Sequence, residues 1–319
     1  MGKPIAIYYR IMKYCPENRS LLDQLFEVVE LEDPREDTPE ILARAAVLFA
    51  PLGFLVDQTK IDLCPNLRAI VSNTTGIPHI DATSAAQRDI AVCALHDEQA
   101  FLDTITPTAE HTIALMLAAW RRIPACHDAA AHGQWDRRNW GAPRMFSRMR
   151  LGLVGYGRLG RKVSEIATAM GMKVAYFDPY QSGSVENIHV LARQSDILSL
   201  HAPANDETRN LVSREVLREL PHGAMVVNTA RGELLDTEAL LDMLEDGSIY
   251  AAGLDTIDGE YDPDFGKTFA DSRIAQYART HTNLVLTPHI GGSTSDAWLE
   301  TERFVIIKAA KSLKIDVMQ

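Results

Sequence analysis

The sequence predicts an α/β protein of two doubly wound parallel-sheet domains, and three observations carry that reading. The chain has 319 residues, more than one hydrophobic core usually organises. Short apolar runs alternate with helix-compatible stretches in two separate series. The second series opens on a glycine-rich turn between a strand and a helix.

The first series comprises PIAIYY at 4–9, AVLFAP at 46–51, LRAIVSN at 67–73 and IAVCAL at 90–95. Unbroken apolar runs of this length suit parallel strands covered on both faces. The acid-rich segment 23–40 reads as a solvated helix face and loop. Thr106-Pro107 predicts an N-cap followed by proline at the first helical position, opening an Ala/Leu/Met-rich helix to about Arg121 that would cross to the second domain. The second series is LGLVG at 151–155, KVAYFD at 173–178, DILSLH at 196–201, AMVVNTA at 224–230, AAGLDT at 251–256 and NLVLTP at 283–288. Six strands with intervening helices are what a dinucleotide-binding sheet requires. After His289-Ile290-Gly291-Gly292 a single amphipathic helix remains, too short to be a domain and expected to pack back on the first. The boundaries read from this pattern are 1–103, 104–289 and 290–319.

Composition narrows the partners. A net charge of −11 repels nucleic acid and anionic membrane surfaces, so neither is expected as a partner. The first twenty residues have one short apolar run broken by Arg10 and Lys13, unlike a signal peptide, and apolar runs elsewhere are too short to span a membrane. Cys15, Cys64, Cys93 and Cys126 lie far apart with no C-x-x-C pair, which fits free thiols in a reducing cytoplasm and gives no metal site.

Gly155-Tyr156-Gly157-Arg158-Leu159-Gly160 is a G-x-G-x-x-G between a strand and a helix. Gly155 permits the tight turn, Gly157 lets backbone approach a pyrophosphate, and Gly160 allows close helix–strand packing, while the helix N-terminus offers unpaired N–H groups to phosphates. The next strand ends in Phe177-Asp178-Pro179, and Asp178 stands eighteen residues after Gly160. A carboxylate there can hold adenosine ribose hydroxyls and would repel a 2′-phosphate, so NAD is expected over NADP; a turn-former before proline fits the same position.

Three later segments carry the chemistry: Asn228-Thr229-Ala230-Arg231-Gly232, Gly253-Leu254-Asp255-Thr256-Ile257-Asp258-Gly259-Glu260, and Thr287-Pro288-His289-Ile290-Gly291-Gly292. With the glycine turn, Thr108-Ala109-Glu110-His111, Leu200-His201-Ala202-Pro203 and the Ala239-Leu240 helix after Asp236, they closely resemble the D-isomer-specific 2-hydroxyacid dehydrogenase family over most of the chain. The resemblance implies an NAD-dependent enzyme interconverting a small D-2-hydroxy acid and its 2-keto acid, of the glyoxylate, hydroxypyruvate or pyruvate type. It implies a Rossmann nucleotide domain inserted in a flavodoxin-like substrate domain, with catalysis in the cleft and a homodimer whose contact lies near Trp120, Trp135 and Trp140.

The residue types suit that reaction. A guanidinium can pair with a keto acid's carboxylate and polarise its carbonyl, and Arg231 fits. Histidine exchanges protons near neutral pH, and His289 fits. A carboxylate bonded to that imidazole would raise its pKa, and Glu260 stands at the family's position for it, completing the catalytic set Arg231, Glu260 and His289. Singly, each also suits a surface or capping role; together and in this order they point to chemistry. The resemblance further places Arg158, Leu159, His201, Ala202, Pro203, Thr208, Thr229, Ala230, Asp255, His289 and Gly291 around the cofactor, with Asp255 at the nicotinamide carboxamide. It places Thr74, Thr75 and Gly76, with Arg231 and His289, around the substrate.

Two departures stand out. Phosphoglycerate dehydrogenases of the family carry an arginine where this chain has Ser72, which favours an uncharged-tail acid over 3-phosphoglycerate. The family's proline after the glutamate is Tyr261 here, and the stretch from there to Asn283 is longer than usual, with a helix-like part at 271–279. The alternatives are a D-3-phosphoglycerate dehydrogenase and, from another class, a non-catalytic NAD(H)-sensing scaffold like the C-terminal-binding corepressors.

Overall fold

Two separate parallel sheets, of five and six strands, organise the chain in a computed structural model that describes residues 2–262 and 264–317. They belong to two units, one made of residues up to Ile105 together with those from Thr294 onward, the other of Thr106–Ser293.

In the first unit β1 (Ile5–Tyr9), β2 (Glu27–Leu31), β3 (Val47–Phe49), β4 (Ala69–Val71) and β5 (Ala91–Cys93) lie in the order β2-β1-β3-β4-β5, all parallel. β3 and β4 are buried along their whole length, which is why they read as unbroken apolar runs. β2 corrects the expectation of a helix face and loop over 23–40. It is an edge strand: Val28 packs against the core on one face of the sheet and Val29 against the core on the other, while Glu27 and Glu30 turn to solvent. Glu30 is paired with Arg19 at 2.9 Å, so the charges that suggested a solvated helix in fact dress the sheet's edge. The C-terminal helix Ser295–Ser312 returns to this unit, burying Val305, Ile306, Ala309 and Ala310 beside Leu22 and Leu25 of the Pro16–Leu25 helix. Buried Glu302 accepts hydrogen bonds from Cys15 N and Asn18 Nδ2, both at 2.8 Å, which pins that helix to the start of the other.

The second unit holds β6 (Arg150–Val154), β7 (Lys173–Phe177), β8 (Ile197–Leu200), β9 (Ala224–Asn228), β10 (Ile249–Leu254) and β11 (Leu284–Leu286) in the order β11-β10-β9-β8-β6-β7. Strand order reverses between β6 and β8, and in open α/β sheets ligands bind outside the carboxyl ends of the strands at such a point. The helix Arg158–Ala169 presents Gly160, Val163 and Ala167 to the sheet at helical spacing. Pro107–Trp120 is helical as expected, with Thr106 at the N-cap position and proline first, but the Thr106 side chain makes no capping bond and its hydroxyl donates to Glu110 Oε1 at 2.5 Å instead.

The unit borders fall after Ile105 and Ser293 rather than after 103 and 289. At the second border the reason is explicit, because the N–H groups of Ile290 and Gly291 donate to the Asp255 carboxylate at 2.9 and 2.8 Å and hold 290–293 to the six-stranded sheet.

Candidate active site

The carboxyl ends of β6 and β8 meet at the glycine turn. Gly155 has φ 94°, and a Cβ there would lie 2.7 Å from Ala202 N, so the turn needs glycine both for its conformation and for the approach of the His201-Ala202 backbone. Around Gly157, by contrast, nothing lies within 4 Å of a built Cβ, leaving the backbone open where the Arg158–Ala169 helix begins. That open cradle fits a dinucleotide pyrophosphate.

Asp178 reaches back from the end of β7 to this turn. Its Oδ2 accepts from Tyr156 N at 2.8 Å and its Oδ1 from Tyr180 N at 3.0 Å, so the side chain shapes both the glycine turn and its own bend. Leu159 and Arg158 follow in the first helical turn. His201 Nε2 bonds Ser199 Oγ at 2.9 Å, and burial pushes its pKa down to about 4, so the ring is neutral at physiological pH. Thr208 Oγ1 donates to Pro203 O at 2.7 Å and closes the loop after β8. No helix among the described residues is long and apolar enough to cross a membrane, and no cluster among them could hold a metal.

Arg231 stands just past β9 on a turn built by Asn228. That fully buried amide accepts from Ala230 N at 3.0 Å and donates to Arg231 O at 2.7 Å. Thr112 Oγ1 donates to Thr108 O, so at 2.7 Å from Thr229 Oγ1 it must accept, and the Thr229 hydroxyl hydrogen is spent within the unit. Asn228 and Thr112 carry no role in the sequence reading, although Asn228 at a strand end before a turn is a visible signal for such a brace.

Gly232 brings that turn against the segment after β10. A Cβ there would lie 2.0 Å from Asp258 N and 2.1 Å from Ile257 C, so only glycine permits the approach. The segment continues into a turn closed by Asp262 N donating to Gly259 O at 2.9 Å, with Glu260 and Tyr261 as its two central residues. Glu260 Oε1 lies 2.8 Å from His289 Nδ1. The carboxylate can only accept, so Nδ1 carries the hydrogen and Nε2 is left for proton exchange.

His289 itself has φ 51°, a conformation a β-carbon tolerates poorly, and Asp255 enforces it. Asp255 O accepts from His289 N at 2.8 Å, and its carboxylate, only 2% exposed, accepts from Thr287 Oγ1, Ile290 N and Gly291 N, with His111 Nε2 at 3.3 Å from Oδ1. In this structure Asp255 is thus the brace of the His289 loop. His111, on the Pro107–Trp120 helix, joins the network through Thr287 at 3.0 Å.

Thr74, Thr75 and Gly76 follow β4 in the other unit. Ser72, 1% exposed, bonds Thr74 Oγ1 at 2.8 Å and His79 Nε2 at 3.3 Å, and Thr74 Oγ1 donates to Gly76 O at 2.6 Å. Ser72 therefore shapes this loop from beneath.

The segment expected to be an insertion contains the helix Arg273–Thr280, capped by Ser272 Oγ accepting from Ala275 N at 3.3 Å. Arg273 binds Glu238, Asp242 and Glu245 of the Thr237–Glu245 helix at 2.8, 2.7 and 3.4 Å. Residue 263 of the segment lies outside the described residues.

Known proteins agree with this arrangement. The profile described as "D-isomer specific 2-hydroxyacid dehydrogenase, NAD binding domain" matches residues 113–291. The chain is 30% identical to a hydroxypyruvate reductase of Thermotoga maritima across 96% of its own length and 99% of that protein's. It is 31% identical to a D-3-phosphoglycerate dehydrogenase of Methanocaldococcus jannaschii across 90% of its own length, spanning 54% of that longer protein. Its fold superposes on a crystal structure of a Thermus thermophilus protein with TM-score 0.81 and 27% identity, covering 97% of this chain and 96% of that one. By profile, by near full-length similarity and by fold, the chain belongs to the D-isomer-specific 2-hydroxyacid dehydrogenase family, and its second unit is the family's NAD-binding domain.

Proposed function

We propose that the protein interconverts a small D-2-hydroxy acid and its 2-keto acid with NAD as cofactor. The observation that carries this reading is the 2.8 Å pair of Glu260 and His289, set beside the Arg231 turn by the close approach at Gly232. In reduction, Arg231 pairs with the keto acid's carboxylate and polarises its carbonyl. His289 gives its Nε2 proton to the carbonyl oxygen, and Glu260, accepting from Nδ1, stabilises the charged ring beforehand. When bound, NAD supplies or takes up the hydride. The open backbone at Gly157 receives the pyrophosphate and Asp178 the adenosine ribose, while Asp255, His201, Ala202, Pro203, Thr208, Thr229, Ala230 and Gly291 surround the rest of the cofactor. Thr74, Thr75 and Gly76 hold the substrate carboxylate through their backbone.

A phosphoglycerate dehydrogenase is the second reading, favoured by the Methanocaldococcus relative's activity. Against it, Ser72 is buried and bonded inward, and offers a phosphate no charge. We further propose a cytoplasmic homodimer. Trp135 is 92% exposed, with Ile123 and Met145 exposed on the same 123–145 segment, a surface that a second copy would cover. Oxidation of NADH with glyoxylate, hydroxypyruvate, pyruvate and 3-phosphohydroxypyruvate tests the function. Turnover fastest on an unphosphorylated acid is expected; none with any of the four overturns the enzyme reading.

A further inference from the structure

His289 Nδ1 has two oxygen neighbours. Glu260 Oε1 lies at 2.8 Å and Tyr261 Oη at 3.2 Å, both from the same four-residue turn. Nδ1 has a single hydrogen to share. Because Glu260 is an ionised acceptor and the closer of the two, that hydrogen is on Nδ1, and a phenol oxygen beside it can take part only as a second acceptor in a three-centre bond. The aromatic ring of Tyr261 is not what touches the imidazole: the ring centroids are 5.9 Å apart and the planes tilted by 51°, neither stacked nor edge-on. The contact is through the oxygen.

The phenol stays protonated wherever the site works. Tyr261 is 41% exposed, and the partial burial of its phenol pushes the pKa up to about 12, Glu260, Glu233 and Asp255 adding to that and Arg231 opposing it. The charges around the phenol are therefore Glu260, Arg231, Glu233 and Asp255, the last engaged with Ile290 N, Gly291 N and His111, and of these Glu260 bonds the His289 ring directly. The turn is also anchored downstream, where Phe265 N donates to Asp262 O at 3.0 Å and Arg273 binds the three acids of the Thr237–Glu245 helix. The turn at 259–262 thus brings a hydroxyl to the ring.

We propose that Tyr261 is a positioning residue for His289, its phenol oxygen forming with Glu260 a two-oxygen fork that receives Nδ1–H, orients the ring and favours its protonated form. This rests on the reading of His289 as the proton donor. An oxygen that accepts from Nδ1–H favours the protonated ring, so Tyr261 acts in the same direction as Glu260 and more weakly, being neutral and farther away.

Tyr261→Phe removes one oxygen and leaves the ring, so a role in packing alone would not register. The test is a pair of pH titrations on the full-length protein: the 15N chemical shifts of the His289 ring, assigned with His289→Asn, and kcat/KM for keto-acid reduction. In Tyr261→Phe both profiles are expected to move to lower pH, and kcat to drop about threefold to tenfold with KM for NADH unchanged. Tyr261→Phe added to Glu260→Gln should move both profiles further in the same direction. Superimposable titrations overturn the proposal, and so does a shift to higher pH, which would mean that the phenol donates to Nδ1. The ring titration needs no turnover, so it reads Tyr261 even if His289→Ala proves fully active and the proton-donor reading fails.

Discussion

The N–H of Gly291 donates to Oδ2 of Asp255 at 2.8 Å, two residues past a histidine held in the left-handed region. Together with the bond from Ile290 N, it makes a buried carboxylate the clamp on the loop that carries His289. An amide in its place has one oxygen and one NH2 group, so one of the two backbone N–H groups would face a donor. Asp255→Asn is expected to cost about 1–3 kcal/mol of stability and to lower kcat at least tenfold. Thermal unfolding and steady-state kinetics check it. A variant with wild-type Tm and kcat would show that the clamp is dispensable.

Gly232 makes a second steric claim. With 2.0 Å between a built Cβ and Asp258 N, Gly232→Ala must push the Arg231 turn away from the segment leading to Glu260. A loss of more than about 2 kcal/mol, or of soluble protein altogether, is expected from urea unfolding. Since the added group is a single methyl, an unaffected variant would mean that the approach is looser than described.

Cofactor choice should follow Asp178. Its carboxylate repels a 2′-phosphate, so kcat/KM with NADH should exceed that with NADPH by tenfold or more on one keto acid. Equal values would leave Asp178 with only the turn bonds to Tyr156 and Tyr180.

Within the second unit, acid should remove stability in two stages. His201 has a folded pKa of about 4, below its ordinary 6.5, so the unfolded chain binds the extra proton between these values. Its contribution, on the order of 3 kcal/mol, is complete above pH 6.5 and lost as pH falls toward 4. Asp196 follows: burial raises its pKa, but hydrogen bonds from Arg150 and Arg144 outweigh that and hold it at about 2, so its contribution is present above pH 3.8 and lost below. Urea midpoints measured from pH 8 to pH 3 check the order, and His201→Asn should flatten the first stage.

Much of this was legible in the residues because the fold uses unbroken apolar runs for its central strands, and the glycine turn and the Arg231, Glu260 and His289 motifs are short local patterns. β2 was not legible. An edge strand half-covered on both faces needs only Val28, Val29 and Leu31 for its core contacts, and its glutamates read as a solvated helix. The unit border after Ser293 depends on bonds to Asp255, 38 residues earlier, which no local pattern displays. Tyr261 was visible as an unusual residue, but its bond to His289 depends on how the 259–262 turn closes, and only the fold supplies that.

Coupling between Glu260 and the acid should show in Glu260→Gln. Without the carboxylate the protonated ring loses its charged partner, and kcat/KM for reduction should decline at lower pH than in wild type. Superimposable profiles would uncouple the two despite their 2.8 Å separation.

Whether His289 carries the proton is read from kcat of His289→Ala in keto-acid reduction, with NADH binding followed by fluorescence. A fall of roughly two to four orders of magnitude with NADH affinity retained is the expected result; near-normal turnover would place the proton donor elsewhere and contradict the site as described.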